Sequence, residues 1–391
     1  MKKIGILTLV FYNFGTRLQS YALCKAIEKI RPKELTFEVI DMEGIWFGRQ
    51  TNLRTIAKKI FFYRLFSFRF LIDRIRWCVQ KKIINKANYN NEWIHREKKF
   101  TSIISKIPYS SKKYTCEEIR NGALNNYSEI LVGSDQVWNG IHVPVQDIYM
   151  LDHFKKKGYT YAASFGITSI PQNMQDAYRR RLNNFRSLLI REEEGVNICK
   201  SLGRPDAEFV LDPTLLLERG DYESLLSKEP LIEGDYILVY SLNASFRIYK
   251  QAYKFAKKNN CKMVVLKRDF CPPNIKKIPN AKELFFVSPE EFLWLIKNAK
   301  CVITNSYHGF LFSLIFNKFF YLFLDVFEEE NCRMLSLIRL CHLENRVFEE
   351  RDNLPSNLGL INYETVNHTI FLLRNRSMEL LKKTLNQMAK D

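Results

Sequence analysis

A chain of 391 residues is too long for one ordinary hydrophobic core and suits two domains. Its 46% hydrophobic and 26% charged residues exclude a disordered or fibrous class, and its apolar runs are too short to cross a bilayer. The formal net charge of +18 is unevenly placed: from Arg49 to Arg120 there are 18 Lys and Arg against 5 Asp and Glu, which points to a polyanionic or membrane-surface partner or else to a solvated basic face.

Met1-Lys2-Lys3 runs into an apolar stretch that Tyr12 and Asn13 close, so residues 4–10 predict a buried strand and not a signal peptide. A loop with Asn13 and Gly15 follows, then a helix over 18–30 and a strand over 36–41. This β-α-β opening implies a parallel sheet. Residues 50–115 break the rhythm: they are helix-like, basic and aromatic, and read as an inserted helical region that lies on a membrane surface or packs on the domain with its basic side in water. Strands are expected over 129–132, 159–164, 187–190 and 209–211, with a helix over 175–186. A boundary falls near 215–234. The second half repeats the style, with strands over 236–241, 263–266, 301–304 and 320–324, helices over 247–259, 289–298 and 310–316, and a final helix over 363–388. The fold class is therefore α/β, with two Rossmann-like domains facing a cleft. Ligands of such sheets bind beyond the carboxyl ends of the strands, where every motif below falls.

The sharpest motif is TNSYHG, residues 304–309. A strand brings His308 to the sheet edge, Gly309 allows a tight turn, and a helix opens at once. The free N–H groups of that helix start, around Asn305, Ser306, Tyr307 and Gly309, suit an anion. His308 beside them suits general acid or base work, or else caps the helix. The turn GSDQVWN, residues 133–139, places Ser134, Asp135, Gln136 and Asn139 after a buried strand. It suits sugar hydroxyls, with Trp138 as a flat apolar face and Asp135 as proton acceptor; the alternative is an Asx-type turn with Trp138 in the core. Arg191, at a strand end, suits a phosphate or carboxylate, or pairs with Glu192 to Glu194. Lys267 and Arg268 follow a strand in the second half and are further phosphate candidates. Asn13, Gly15 and Gln19 form the first β-α loop, and Ser164 ends another strand; these join the acceptor-side candidates.

The nine Cys are odd in number and show no C-x-x-C pair, which speaks against a disulfide framework or structural zinc and fits reduced cytoplasmic thiols. There is no G-x-G-x-x-G, P-loop or H-E-x-x-H, so neither a dinucleotide cofactor nor a metal is indicated. No nucleic-acid motif accompanies the basic charge.

Taken in order, FYNFGTRLQSYAL (11–23), EILVGSDQVWN (129–139), YAASFG (161–166), IREEEG (190–195), VLDPTLLL (210–217) and VSPEEFLWLIKNAKCVITNSYHGFLFSLIFNKFF (287–320) resemble the polysaccharide pyruvyl transferase family. The resemblance implies a GT-B-like fold, phosphoenolpyruvate as co-substrate with no cofactor, and a pair of glycan hydroxyls as acceptor. It places the catalytic candidate on His308 and a donor-binding Arg on Arg191. Ser306 stands where several relatives carry Arg, and Gly15-Thr16-Arg17 departs from the family's G-A before Leu18-Gln19. The domains expected are 1–217, acceptor side, with the basic insert at about 50–115; 218–362, donor side; and 363–391, a helix packing back on the first domain. The acceptor would be a polyprenyl-pyrophosphate-linked glycan, met by a cytoplasmic protein at an anionic membrane surface. The alternatives are a nucleotide-sugar glycosyltransferase on the same scaffold and a non-catalytic glycan-lipid binding partner.

Overall fold

The structure, a computed structural model, describes residues 1–43, 97–140, 143, 146–242, 245–267, 281–324, 331–349 and 351–390. Most of the expected basic helical insert, residues 50–96, lies outside the described residues, and with it the expected membrane-facing surface. Its C-terminal end is described. Residues 97–104 are helical, but 109–114, expected as helix, form a strand at the sheet edge, where Lys113 stands opposite Asp41 and three polar residues in succession face solvent.

Two parallel sheets of six strands carry the fold. The first contains β1 (Lys2–Leu7), β2 (Leu35–Met42), β3 (Tyr109–Tyr114), β4 (Glu129–Val132), β5 (Gly158–Thr160) and β6 (Phe185–Ser187), in the order β3-β2-β1-β4-β5-β6. After the short pair β7 (Leu189–Ile190) and β8 (Glu208–Phe209) comes the second sheet. It contains β9 (Tyr236–Tyr240), β10 (Lys262–Leu266), β11 (Ala281–Leu284), β12 (Cys301–Thr304), β13 (Phe319–Phe323) and β14 (Val347–Phe348), in the order β11-β10-β9-β12-β13-β14. Both orders are 3-2-1-4-5-6, the Rossmann arrangement, with a switch point between β1 and β4 and another between β9 and β12. The central strands are apolar on both faces, as parallel strands covered by helices must be: all four residues of β4 and of β12 are buried.

Local chemistry sets the helix starts. Asn13 caps α1 (Phe14–Ile30), its Oδ1 accepting from the Thr16 N–H. The stretches α2 (Gln172–Leu182), α3 (Glu193–Ser201) and α4 (Phe246–Lys258) follow. Ser288 and Glu291 form a capping box, with Pro289 in the first turn, at the start of α5 (Pro289–Asn298). Then come α6 (Tyr307–Ile315), α7 (Cys332–Leu340) and α8 (Tyr363–Lys390).

The stretch expected as one strand over 187–190 divides: Phe185–Ser187 pairs with β5, while Leu189–Ile190 pairs with β8. Single bridges Asp135–Ala163 and Ala163–Ile190 extend that small pair into a row beyond the carboxyl ends of β4 and β5. The row sets Asp135, Ser164 and Arg191 side by side.

The halves meet through aromatic rings. Phe14 of α1 stacks on Phe292 of α5 with centroids 4.4 Å apart and planes 4° from parallel, and Tyr240 and Phe100 flank it at 5.9 Å and 5.7 Å. Lys99 and Glu291 pair at 2.8 Å across the same seam. The long helix α8 returns to the first half: the Ser377 hydroxyl accepts from the Leu211 N–H, Arg374 donates to the Leu215 carbonyl, and Leu381, Leu385 and Met388 are buried.

Candidate functional site

β12 delivers its chain to the seam between the halves. Thr304 Oγ1 donates to the Tyr240 carbonyl and accepts from the Ser306 N–H at 2.9 Å, which turns the backbone sharply. Ser306 caps α6, accepting from the Gly309 N–H at 3.3 Å. The helix opens at Tyr307, three residues before the start expected at 310, so His308 sits in its first turn. There the amides of Tyr307 and His308 have no intrahelical acceptor. Asn305 is buried, with its Oδ1 accepting from Leu242 N–H at 2.7 Å and its Nδ2 lacking a partner.

The imidazole of His308 spans the seam. Its Nδ1 lies over Gly15 in the first turn of α1: a Cβ on Gly15 would fall 2.1 Å from that atom. Only glycine permits this approach. Its Nε2 stands 3.7 Å from Asp212 Oδ2, an ion-pair distance too long for a direct hydrogen bond. The His308 side chain is 11% exposed and that of Asp135 10%, and the His308 Nε2 itself is buried.

Behind them Arg191 is fully enclosed. Its guanidinium pairs with Asp212 at 2.9 Å and with Asp135 at 3.2 Å, and lies 4.7 Å from the Tyr307 ring centroid. Burial opposes its charge, but Tyr307 and the carboxylates of Asp135, Asp212 and Glu192 hold it protonated. Burial likewise opposes the Asp212 carboxylate, yet His308, Arg191 and the Thr214 N–H hold its pKa well below the usual range. Its Oδ1 accepts from both the Thr214 N–H and the Thr214 hydroxyl. Burial pushes the Glu192 carboxyl up, with Arg191 and the Gly166 N–H opposing; it accepts from Phe165 N–H and Gly166 N–H at 2.7 and 3.0 Å. Arg333, at the start of α7, lies 5.4 Å from the Tyr307 ring centroid.

Several expectations are corrected. Arg191, expected to meet a donor phosphate or pair with Glu192 to Glu194, pairs with Asp135 and Asp212, because those carboxylates fill the space around a side chain with no exposure. Trp138, expected as a sugar platform, is buried between Phe165 and Phe185, its Nε1 donating to the Tyr149 carbonyl. Asn139 and Ser164 are fully buried beside it. Gln19 and Ser134 hydrogen-bond each other at 2.7 Å inside the first half, so neither faces an acceptor. Lys267 is buried against Glu283 and the Tyr249 ring. Arg268 lies outside the described residues. Asn13 and Gln136 keep partial exposure, and the Gln136 Nε2 lacks a partner where it lies over Gly166. Asp135 adopts φ of 75°, a left-handed conformation that Asp tolerates and that aims its carboxylate at Arg191.

Asp212, Glu192 and Arg333 were not assigned from sequence. Asp212 had a readable signal, since Asp-Pro-Thr directly after a strand marks a helical N-cap at a strand end. A surface depression lined by Tyr21, Lys25, Lys29 and Asp221 lies at the far end of α1 and holds none of these groups. Among the described residues no group of His, Cys, Asp and Glu gathers as a metal site, and no helix is long and apolar enough to cross a membrane.

A family model described as polysaccharide pyruvyl transferase matches residues 13–323, which span all the groups just described except Arg333. No curated protein matches the sequence. Among solved structures the chain is similar to a UDP-bound MnaA of S. aureus, at 12% identity and a TM-score of 0.50 over 100% of this chain and 91% of that one. It is also similar to a putative UDP-N-acetylglucosamine 2-epimerase from Listeria monocytogenes, at 11% identity and 0.49 over 100% and 91%. A third is the ADP-heptose lipopolysaccharide heptosyltransferase II of E. coli, at 11% and 0.38 over 96% and 99%. At such identities the likeness is one of fold: two Rossmann-like domains in the GT-B manner.

Proposed function

Because the chain belongs to the polysaccharide pyruvyl transferase family, we propose that it moves the pyruvyl group of phosphoenolpyruvate onto two hydroxyls of one sugar in a surface-glycan precursor. The observation that carries the reading is the placement of His308. Its ring reaches solvent in the first turn of α6, beside unpaired helix-start amides and at the seam where both switch points end.

Phosphoenolpyruvate carries a phosphate and a carboxylate, and the amides of Tyr307 and His308, aided by the positive end of the α6 dipole, suit one of them. Asn305 Nδ2 offers a further donor. Transfer needs a proton added to the donor methylene carbon, attack on the adjacent carbon by a sugar hydroxyl, cleavage of the carbon–oxygen bond to phosphate, and closure by the second hydroxyl. One of the two hydroxyl protons replaces, in net terms, the proton given to carbon; the other leaves with phosphate. His308 gives or takes the proton, and Asp135 is the nearer carboxylate to the solvent side. Gln136 and Asn13 serve the acceptor from the first half. A polyprenyl-pyrophosphate-linked acceptor, reached from the cytoplasm at an anionic membrane surface, completes the proposal.

Mass spectrometry of a lipid-linked glycan incubated with phosphoenolpyruvate and the protein tests it. The expected result is a product heavier by one pyruvate less water, with one phosphate released per ketal. Stabilisation by a nucleotide sugar but not by phosphoenolpyruvate in a thermal melt would instead support a glycosyltransferase.

A further inference from the structure

We infer that Asp212 is the positioning residue for His308: the charge of its carboxylate, at ion-pair distance, favours the hydrogen on Nε2 and leaves Nδ1, over Gly15, as the nitrogen that exchanges a proton with substrate. The inference names the working atom of the site proposed above and rests on that reading only for what the proton is used for.

Three observations carry it. Asp212 Oδ2 faces Nε2 at 3.7 Å, while Nδ1 is the ring atom nearest Gly15. Asp212 is itself immobilised, since Oδ1 accepts twice from Thr214 and Oδ2 accepts from Arg191 at 2.9 Å. A fully buried carboxylate fixed on three sides orients an imidazole better than a free one, because its oxygen cannot follow the ring if the ring turns. The neutral imidazole has one N–H, and a facing carboxylate oxygen decides which nitrogen bears it.

The arrangement also divides labour between the halves. Asp212 and Gly15 belong to the first half, and His308 to the second, 96 positions after Asp212. Neither half alone contains both His308 and Asp212, so this pairing exists only while the seam is closed. Among the described residues, Asp212 faces the ring directly, Arg191 pairs with Asp212, Arg333 lies 5.4 Å from the centroid of the Tyr307 ring on the same helix, and α1 brings Gly15 against it.

Imidazole nitrogen NMR on the full-length chain reads the inference without any turnover, with the His308 resonances identified by their loss in His308→Gln. In the wild type, the neutral ring is expected to carry its hydrogen on Nε2; a neutral ring protonated on Nδ1 overturns the proposal. In Asp212→Asn, where the facing oxygen loses its charge, the Nδ1-protonated share of the neutral His308 ring is expected to rise about tenfold. A folded variant with an unchanged tautomer ratio overturns it too, since a merely structural Asp212 would not move that ratio. Should Asp212→Asn not fold, the wild-type tautomer alone decides. Failure of pyruvyl transfer leaves these readouts untouched, so the two readings fall separately.

Discussion

Replacing Gly15 with Ala isolates the contact on which the site is built. The added Cβ would lie 2.1 Å from His308 Nδ1, 2.6 Å from Cε1 and 2.7 Å from Cγ, whereas ordinary contact begins near 3.4 Å. The ring must therefore recede by about 1.3 Å. Displacing one side chain in a tight site costs about 1–3 kcal/mol. Alanine in place of glycine in a helix returns about 0.5–1 kcal/mol. The net change in folding stability should therefore be no more than about 2.5 kcal/mol, and the melting curve should keep its cooperativity. Turnover is more exacting, because a misplacement of about 1 Å at the reacting group costs on the order of 10²-fold. The assay is phosphate release from phosphoenolpyruvate with saturating acceptor, run beside a thermal melt. Full turnover in a folded Gly15→Ala protein would refute the claim that His308 works from its place over α1.

Other outcomes follow from the same geometry. His308→Ala should lower the rate of phosphate release by about 10²–10⁴-fold while leaving the melt near wild type. Phe292→Ala removes a ring stacked on Phe14 at 4.4 Å and should cost about 3–5 kcal/mol in denaturant unfolding, since it opens a cavity at the seam; a change below about 1 kcal/mol would mean the halves do not depend on that contact. Asp212→Asn should destabilise the fold by about 3–5 kcal/mol at neutral pH, because it leaves buried Arg191 with Asp135 as its one ion-pair partner among the described residues. The folded-state pKa of Asp212 is depressed, so this margin is complete above the ordinary carboxylate value of about 4 and shrinks as pH falls below it. Urea titrations of both proteins from pH 7 down to pH 3 measure it, and a margin that grows on acidification contradicts the assignment.

The parts of the fold legible in sequence were those with strong local chemistry. Apolar runs such as EILV and CVIT can be little else than buried strands, and Ser288-Pro289-Glu290-Glu291 announces a helix start. The edge strands β11 and β14 escaped notice because they are short and half exposed, and β3 because its polar run reads as the end of the basic insert. The helix α3 was hidden by its acidic opening, Glu192 to Glu194, which reads as a charged turn. Within the site, His308 stood out because a strand end, a glycine and a helix start coincide there. Partnership did not. Asp135, Arg191, Asp212 and His308 are spread over more than 170 positions, and only the bridge row beyond β4 and β5, together with the closed seam, brings them into one cluster. For the same reason Arg191 looked available from sequence and is already taken in the fold.

The polypeptide passes between the halves twice, once after Leu217 and again on the way into α8, whose residues Arg374 and Ser377 are anchored at Leu215 and Leu211. Outgoing and returning segments thus share one margin of the molecule. Any parting of the two sheets is restricted to swinging about that doubled hinge, and a protease that nicked either segment would still leave the other as a tether.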